Sequence, residues 1–359
     1  MMRQQKGRGA ISNRAGRFAR ESSEQVPDDR HNEWIDELEA LPKLATIVRA
    51  EAAKSIIARN QSPDVPFEQS INPYRGCEHG CVYCFARPTH SYLDLSPGLD
   101  FETQLYYKPN AAELLEAALR KPGYSCKPIT IGANTDPYQP IEREHRITRR
   151  LLDTMLQYRH PVSLITKGSL IERDLDLLAE LARLGLVSVQ VSVTSLDQGL
   201  KRKLEPRAAS AHARLRVIER LSQAGVPVGA LIAPVIPALT DHELESIIER
   251  VADAGARTAG YVLLRLPFEV AGLFVEWLEA HYPDRARHVM SLVRQSRGGK
   301  DYDSAWGQRM RGSGHFADLI ETRFRLACRR HGLNRGNNGS LRTDLFRRPL
   351  RTGDQAALF

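Results

Sequence analysis

The sequence predicts an α/β chain built as an open or partial (β/α) barrel, and three observations carry that expectation. Between residues 66 and 284, short apolar runs of strand-like composition alternate with amphipathic runs whose apolar residues recur at helical spacing. Six such units follow one another, and strands this far apart in sequence require parallel pairing through right-handed crossovers. The chain has 359 residues, 42% of them hydrophobic and 26% charged, enough for one large or two ordinary domains with a substantial core. That composition excludes a collagenous, mucin-like or wholly disordered chain.

Taken in order, residues 1–65 are polar, with a helix expected over 32–58. The first strand, 70–74, leads into a loop rich in cysteine, and later strands read as 128–133, 162–166, 187–193, 228–233 and 260–264. Between them, the stripes Leu175, Leu178, Leu181, Leu184 and Leu215, Ile218, Leu221 each give a helix an apolar face that covers a sheet. Thr240 with Glu243 three residues on reads as a capping box that starts a helix running through Ala254, and Gly255 ends it. Residues 285–359 carry Arg297-Gly298-Gly299-Lys300, a helix-like run over 316–331 and a Gly/Asn-rich tail. Three regions follow: a basic, polar N-terminal extension over 1–65, a barrel core over 66–284, and a basic C-terminal region over 285–359 with a mobile tail. In parallel sheets of this kind the residues just after each strand form the site.

Charge is uneven along the chain. Residues 1–20 hold six Lys/Arg and no acid, residues 21–284 carry a net −8, and residues 285–359 a net +10. Clustered cations of this kind suit a phosphate backbone, so a nucleic acid is an expected partner. The longest nearly apolar stretch, 228–236, is interrupted by Gly229 and Pro234 and falls short of the roughly 20 residues that span a bilayer. The first 18 residues lack the apolar core of a secretory signal. A cytoplasmic location without membrane contact is therefore expected.

Five cysteines are too few and too unevenly placed for a secreted disulfide framework. Three of them fall in Asn72-Pro73-Tyr74-Arg75-Gly76-Cys77-Glu78-His79-Gly80-Cys81-Val82-Tyr83-Cys84-Phe85, spaced C-x3-C-x2-C. A loop can wrap Cys77, Cys81 and Cys84 onto three irons of one 4Fe-4S cubane at this spacing, with Gly76 and Gly80 permitting the tight backbone. The fourth iron then lacks a protein ligand and takes one from a substrate or cofactor. A zinc site completed by His79 or His90 is the alternative, and the chain would then be a zinc-stabilised nucleic-acid-binding protein.

This spacing, with the aromatic Tyr83 just before the last cysteine, resembles the signature of the radical S-adenosylmethionine (SAM) superfamily. The resemblance implies a partial (β/α)6 TIM-type barrel, a 4Fe-4S cluster whose free iron is chelated by S-adenosylmethionine, and cleavage to a 5′-deoxyadenosyl radical. It also implies an electron donor such as a flavodoxin or ferredoxin. The segments Ala133-Asn134-Thr135-Asp136, Ile165-Thr166-Lys167, Val191-Ser192-Val193-Thr194, Leu204-Glu205-Pro206-Arg207 and Leu231-Ile232-Ala233-Pro234 resemble the strand-end motifs of the spore photoproduct lyase branch. By that resemblance Thr135 and Asp136 approach the cofactor's amino group, and Lys167 and Ser192 its carboxylate or ribose. Arg207 is a further carboxylate candidate, Ala233 and Pro234 line the adenosine, and Tyr83 and Asn134 belong to the same cofactor-binding set.

One departure limits the transfer of function. Where that lyase carries a hydrogen-donating cysteine this sequence has Ala133, and Cys126 replaces it only if its loop folds over the site. The chain then resembles the DNA repair photolyase-like radical proteins, with no catalytic side chain assigned. A protein or small-molecule substrate is the second reading. The last five residues, Gln355-Ala356-Ala357-Leu358-Phe359, resemble the peptide by which repair proteins dock on the replication sliding clamp, making that clamp an expected partner.

Overall fold

A computed structural model describes residues 5–19, 44–335 and 340–349. Ten strands occur in chain order: β1 (Ile47–Ala50), β2 (Ile57–Arg59), β3 (Gln69–Ile71), β4 (Tyr74–Arg75), β5 (Gln104–Tyr107), β6 (Ile129–Ile131), β7 (Val162–Thr166), β8 (Val187–Ser192), β9 (Val228–Val235) and β10 (Thr258–Leu263). The larger sheet has the order β10-β9-β8-β7-β6-β3-β2. From β3 to β10 every pairing is parallel, and β2 adds an antiparallel edge. These are the six expected strands laid side by side in chain order, a partial (β/α)6 barrel.

The helices cover the sheet with the stripes the periodicity marks. Leu178 and Leu181 of the helix Leu175–Arg183, and Ile218 and Leu221 of the helix Ala211–Gln223, are fully buried against the strands. Each such side chain contributes about 1.5–3 kcal/mol of apolar burial. Two C-terminal helices, Glu269–His281 and Pro283–Gln295, form a second core around Trp277, so the expected boundary between residues 284 and 285 falls inside a packed helix.

Several local expectations change. The expected helix over 32–58 does not form where the chain is described: β1 lies parallel to β5 and β2 antiparallel to β3, because the β-branched run Thr46-Ile47-Val48 finds a strand partner. The expected strand over 70–74 breaks at Asn72-Pro73. Pro73 has no N–H to give the ladder, and β4 pairs with β5 in a separate small sheet ordered β1-β5-β4. The capping box is also absent. The Thr240 hydroxyl accepts from Ile236 N–H at 2.8 Å, while Glu243 accepts from Leu196 N–H and Asp197 N–H, each at 3.1 Å. Both side chains hold neighbouring loops, and the helix proper is Leu244–Asp253, ending before Gly255 as expected. Residues 355–359, with their clamp-like pattern, lie outside the described residues.

The basic ends do not hang free where they are described. Arg8 is buried and donates to the carbonyls of Glu102 and Leu44, Arg14 pairs with Glu276 at 2.5 Å, and Arg17 covers the Phe268 ring at 3.9 Å. Residues 340–349 cross the bottom of the barrel, at the strand N-terminal ends: Arg342 N–H donates to Gly185 O, Arg347 N–H to Tyr158 O, and Phe346 packs on Tyr124 and His160. Cys126 sits beside Tyr124 at this same end. It therefore lies at the strand N-terminal ends, away from the strand C-terminal ends. Among the described residues no helix is long and apolar enough to cross a membrane.

His160 gives this end a pH signature. It is fully buried, bonds Tyr124 Oη at 2.7 Å and Pro161 O at 2.9 Å, and burial lowers its pKa to about 4. An unfolded imidazole takes its proton near pH 6.5, so as pH falls from 6.5 to 4 the unfolded state binds it first and stability drops. We expect the wild type to lose about 3 kcal/mol more than His160→Gln between pH 7 and 4, measured by urea unfolding. Equal losses would show that the ring titrates normally.

Candidate active site

β4 delivers the chain into the cysteine loop, which is held from several sides. Cys77 N–H donates to Phe101 O at 2.9 Å and Val82 N–H to Leu204 O at 3.1 Å. Gly76 and Gly80 have φ of +73° and +69°, the left-handed conformation expected of them. At Gly80 the N-terminal segment packs backbone to backbone, since a Cβ on Gly9 would lie 1.7 Å from the Gly80 carbonyl oxygen. Cys77 and Cys81 are buried and Cys84 is half-buried. Burial raises all three thiol pKa values, with Asp136 adding to the effect at Cys77 and Glu205 at Cys81, which reaches about 12.

Under the loop lies an ion pair with no solvent exposure. Arg87 Nη2 donates to Glu102 Oε1, while its Nε donates to Cys81 O at 2.9 Å and its Nη1 to Gly98 O at 2.8 Å. Glu102 also accepts from Gly9 N–H at 2.9 Å and Ala10 N–H at 2.8 Å. One carboxylate thus ties the N-terminal segment to the cysteine loop.

The strand ends bring most of the expected residues to this mouth. Asp136, after β6, accepts from Thr166 Oγ1 at 2.7 Å and Lys167 N–H at 2.6 Å, with His79 Nδ1 3.4 Å away. Burial would raise its pKa, but the His79 ring and these donors outweigh it and hold the carboxyl at about 2. Asp136 therefore fastens β6, β7 and the cysteine loop together, with both oxygens already engaged. Thr135 Oγ1 donates to Tyr74 O at 3.1 Å, and Asn134 N–H to Asn72 Oδ1 at 2.9 Å. Lys167 Nζ stands 6.0 Å over the Tyr83 ring. Ser192 is buried and its carbonyl accepts from Arg214 Nη1 at 3.0 Å. Arg207, more exposed, pairs with Glu78 of the loop at 2.6 Å. Ala233 O accepts from Thr194 Oγ1 at 3.1 Å, and the Ala233-Pro234 peptide is cis.

Sequence reasoning missed the network behind Tyr83. Its hydroxyl donates to Glu205, which also accepts from Thr194 Oγ1 at 2.8 Å and pairs with Arg214, all of them buried. Burial opposes ionisation of Glu205, yet Arg214 and Lys167 bring its pKa down to about 2. Glu205 lay within a quoted motif, but nothing in the local pattern paired it with Tyr83, 122 residues away.

Beside the loop opens a cleft of about 250 Å³, whose walls include Phe85, Asn134, Ala133, Arg265 and Met310. Among the described residues no group of three His, Cys, Asp or Glu side chains is close enough to hold a single metal ion. Of the candidate fourth zinc ligands, His79 faces Asp136, and His90 is buried edge-on to Phe101 with Nε2 bonded to Gln104 O at 2.9 Å and Nδ1 without a hydrogen-bond partner. Two buried thiols and one half-buried thiol on a single loop, with no side chain closing a single-ion site among the described residues, fit a larger cluster with one iron left for another ligand.

A model of the radical SAM superfamily matches residues 71–251. The chain belongs to this superfamily. Radical SAM proteins use a 4Fe-4S cluster and S-adenosylmethionine, so those are its cofactors and the zinc alternative falls. It is 38% identical over 243 residues to an uncharacterized protein of Mycobacterium tuberculosis, covering 66% of this chain and 72% of that one. An uncharacterized protein of Methanocaldococcus jannaschii is 28% identical over 214 residues, covering 60% and 76%. In fold it is similar to a spore photoproduct lyase variant with bound AdoMet and dinucleoside spore photoproduct, at a TM-score of 0.58 and 16% identity over 80% of both chains.

The Tyr83 network separates two kinds of loss in this radical SAM chain. Tyr83→Phe removes one hydrogen bond to a charged acceptor and should cost about 1.5–3 kcal/mol. Glu205→Gln leaves Arg214 buried without its counter-charge and should cost about 3–5 kcal/mol. Denaturant midpoints of the two variants check the order, and a milder Glu205→Gln would mean that Arg214 finds another partner.

Proposed function

We propose that this chain is a radical SAM enzyme that acts on a nucleic acid, with the cluster held by Cys77, Cys81 and Cys84. The observation that carries the substrate class is Phe85. It directly follows the last cysteine, is 43% exposed and forms a wall of the cleft, so a base can stack on its ring beside the cofactors. The likeness in fold to a lyase solved with a dinucleoside spore photoproduct supports the same reading.

When held by Cys77, Cys81 and Cys84, the cluster and S-adenosylmethionine would supply radical hydrogen-abstraction chemistry, given an electron from a donor such as a flavodoxin or ferredoxin. The chain's own residues do the positioning. Asp136, through Lys167 N–H and Thr166, fixes the strand ends that receive the cofactor, with Asn134, Thr135, Ser192, Ala233 and Pro234 forming the surrounding wall. Arg207 clamps the cysteine loop through Glu78, and Tyr83 anchors it to Glu205. With Ala133 in the cleft and Cys126 at the far end of the barrel, the reaction ends without a protein thiol as hydrogen donor. It therefore differs from the spore photoproduct lyase quench that the strand-end motifs resemble.

The test is anaerobic turnover of the reconstituted chain with S-adenosylmethionine and a reductant, with and without single-stranded oligonucleotides. The polymer should raise 5′-deoxyadenosine formation and change in mass, and Cys77→Ala, Cys81→Ala or Cys84→Ala should abolish bound iron and turnover together. Unchanged rates and unchanged polymer mass would instead favour a protein or small-molecule substrate.

A further inference from the structure

Arg265 follows β10 at the open side of the mouth and lines the same cleft as Phe85. Among the described residues no carboxylate forms a salt bridge with Arg265. Its Nη1 meets the Met310 sulfur at 3.2 Å and its Nη2 the Tyr302 hydroxyl at 3.4 Å, both neutral, and its Nε is buried with no hydrogen-bond partner. The other guanidiniums around the mouth differ: Arg87 has Glu102, Arg207 has Glu78, Arg214 has Glu205 and Arg309 has Asp64. Behind Arg265, buried Arg297 bonds the carbonyls of Gln308, Leu263 and Leu264 and has no salt bridge among the described residues, so a second cation adds to the field, opposed in part by Asp303. Burial, then the neighbouring Arg265 charge, lowers the Arg297 pKa, and these outweigh the opposing pull of Tyr302 and Asp303. The Arg265 guanidinium also lies 5.0 Å from the centre of the Phe85 ring, which holds it at the cleft wall.

We propose that Arg265 is the phosphate-binding residue of this cleft, taking a phosphodiester oxygen of the strand whose base stacks on Phe85. A guanidinium that lines the cleft without a carboxylate partner, beside an exposed ring, matches one nucleotide unit, anion and π-face together. The inference rests on the nucleic acid reading above and names the residue that would carry the polymer's charge in the site.

The test is fluorescence anisotropy of a short single-stranded oligonucleotide with the full-length reconstituted protein at several salt concentrations. Arg265→Gln should weaken binding about tenfold and flatten the slope of log affinity against log salt by about 0.7, one phosphate on a single strand. Arg265→Lys keeps the charge and should retain most of the slope. Scanning single methylphosphonate linkages should find one position where wild type and Arg265→Gln bind alike. If the wild type binds and Arg265→Gln matches it at every salt concentration, the inference is overturned and the nucleic acid reading stands. If the wild type binds no oligonucleotide, the nucleic acid reading falls. A mononucleotide titration then decides Arg265: loss of its binding in Arg265→Gln supports the phosphate site, and no binding by the wild type overturns it. A melting curve of each variant, matched to wild type, separates these outcomes from misfolding.

Discussion

The buried pair Arg87–Glu102 is the interaction on which the mouth of this barrel depends. Neither side chain touches solvent, and a guanidinium and a carboxylate removed from water persist only if every remaining valence is satisfied. Here the remaining valences are backbone groups: Arg87 bonds the carbonyls of Cys81, Pro97 and Gly98, and Glu102 the N–H groups of Gly9 and Ala10. The pair therefore specifies where the cysteine loop sits relative to the N-terminal segment. That position is what brings three thiols to the strand ends rather than into the core.

Much of the barrel was legible in the sequence because its strands are apolar, β-branched and separated by amphipathic helical runs, and the cysteine loop because ligand spacing is local. Strand breaks and small edge strands were not, since Pro73 acts through a ladder partner far away and β1 has no meaning without β5. The functional carboxylates were only half legible. Asp136, Glu102 and Glu205 are ordinary acids in the sequence, and their roles appear only when Thr166, Arg87 and Tyr83 arrive from other segments. The capping pattern at Thr240 and Glu243 fails because Thr240 accepts instead from Ile236 N–H, four residues back, while Glu243 reaches the distant Leu196 N–H.

Charge counted by segment also differs from charge available at the surface. The N- and C-terminal cations read as polymer-binding arms, yet Arg14 pairs with Glu276, Arg309 with Asp64 and Arg323 with Glu245. Several cations of the basic ends thus meet acids of the body on folding. What distinguishes a cation for function in this molecule is the lack of such a partner, and position in the chain carries little of that information.

The barrel's seam has a broader implication. Between β10 and the β2 edge the sheet is open, and the gap is spanned by loops joined through Asp64, which accepts from Gly307 N–H at 2.6 Å and pairs with Arg309. These bridging residues contribute nothing to strand pairing. Their length and chemistry are thus free to change without disturbing the thiol loop or the buried carboxylates. A lineage built on this plan can acquire new substrates by rewriting the gateway while inheriting the radical machinery intact.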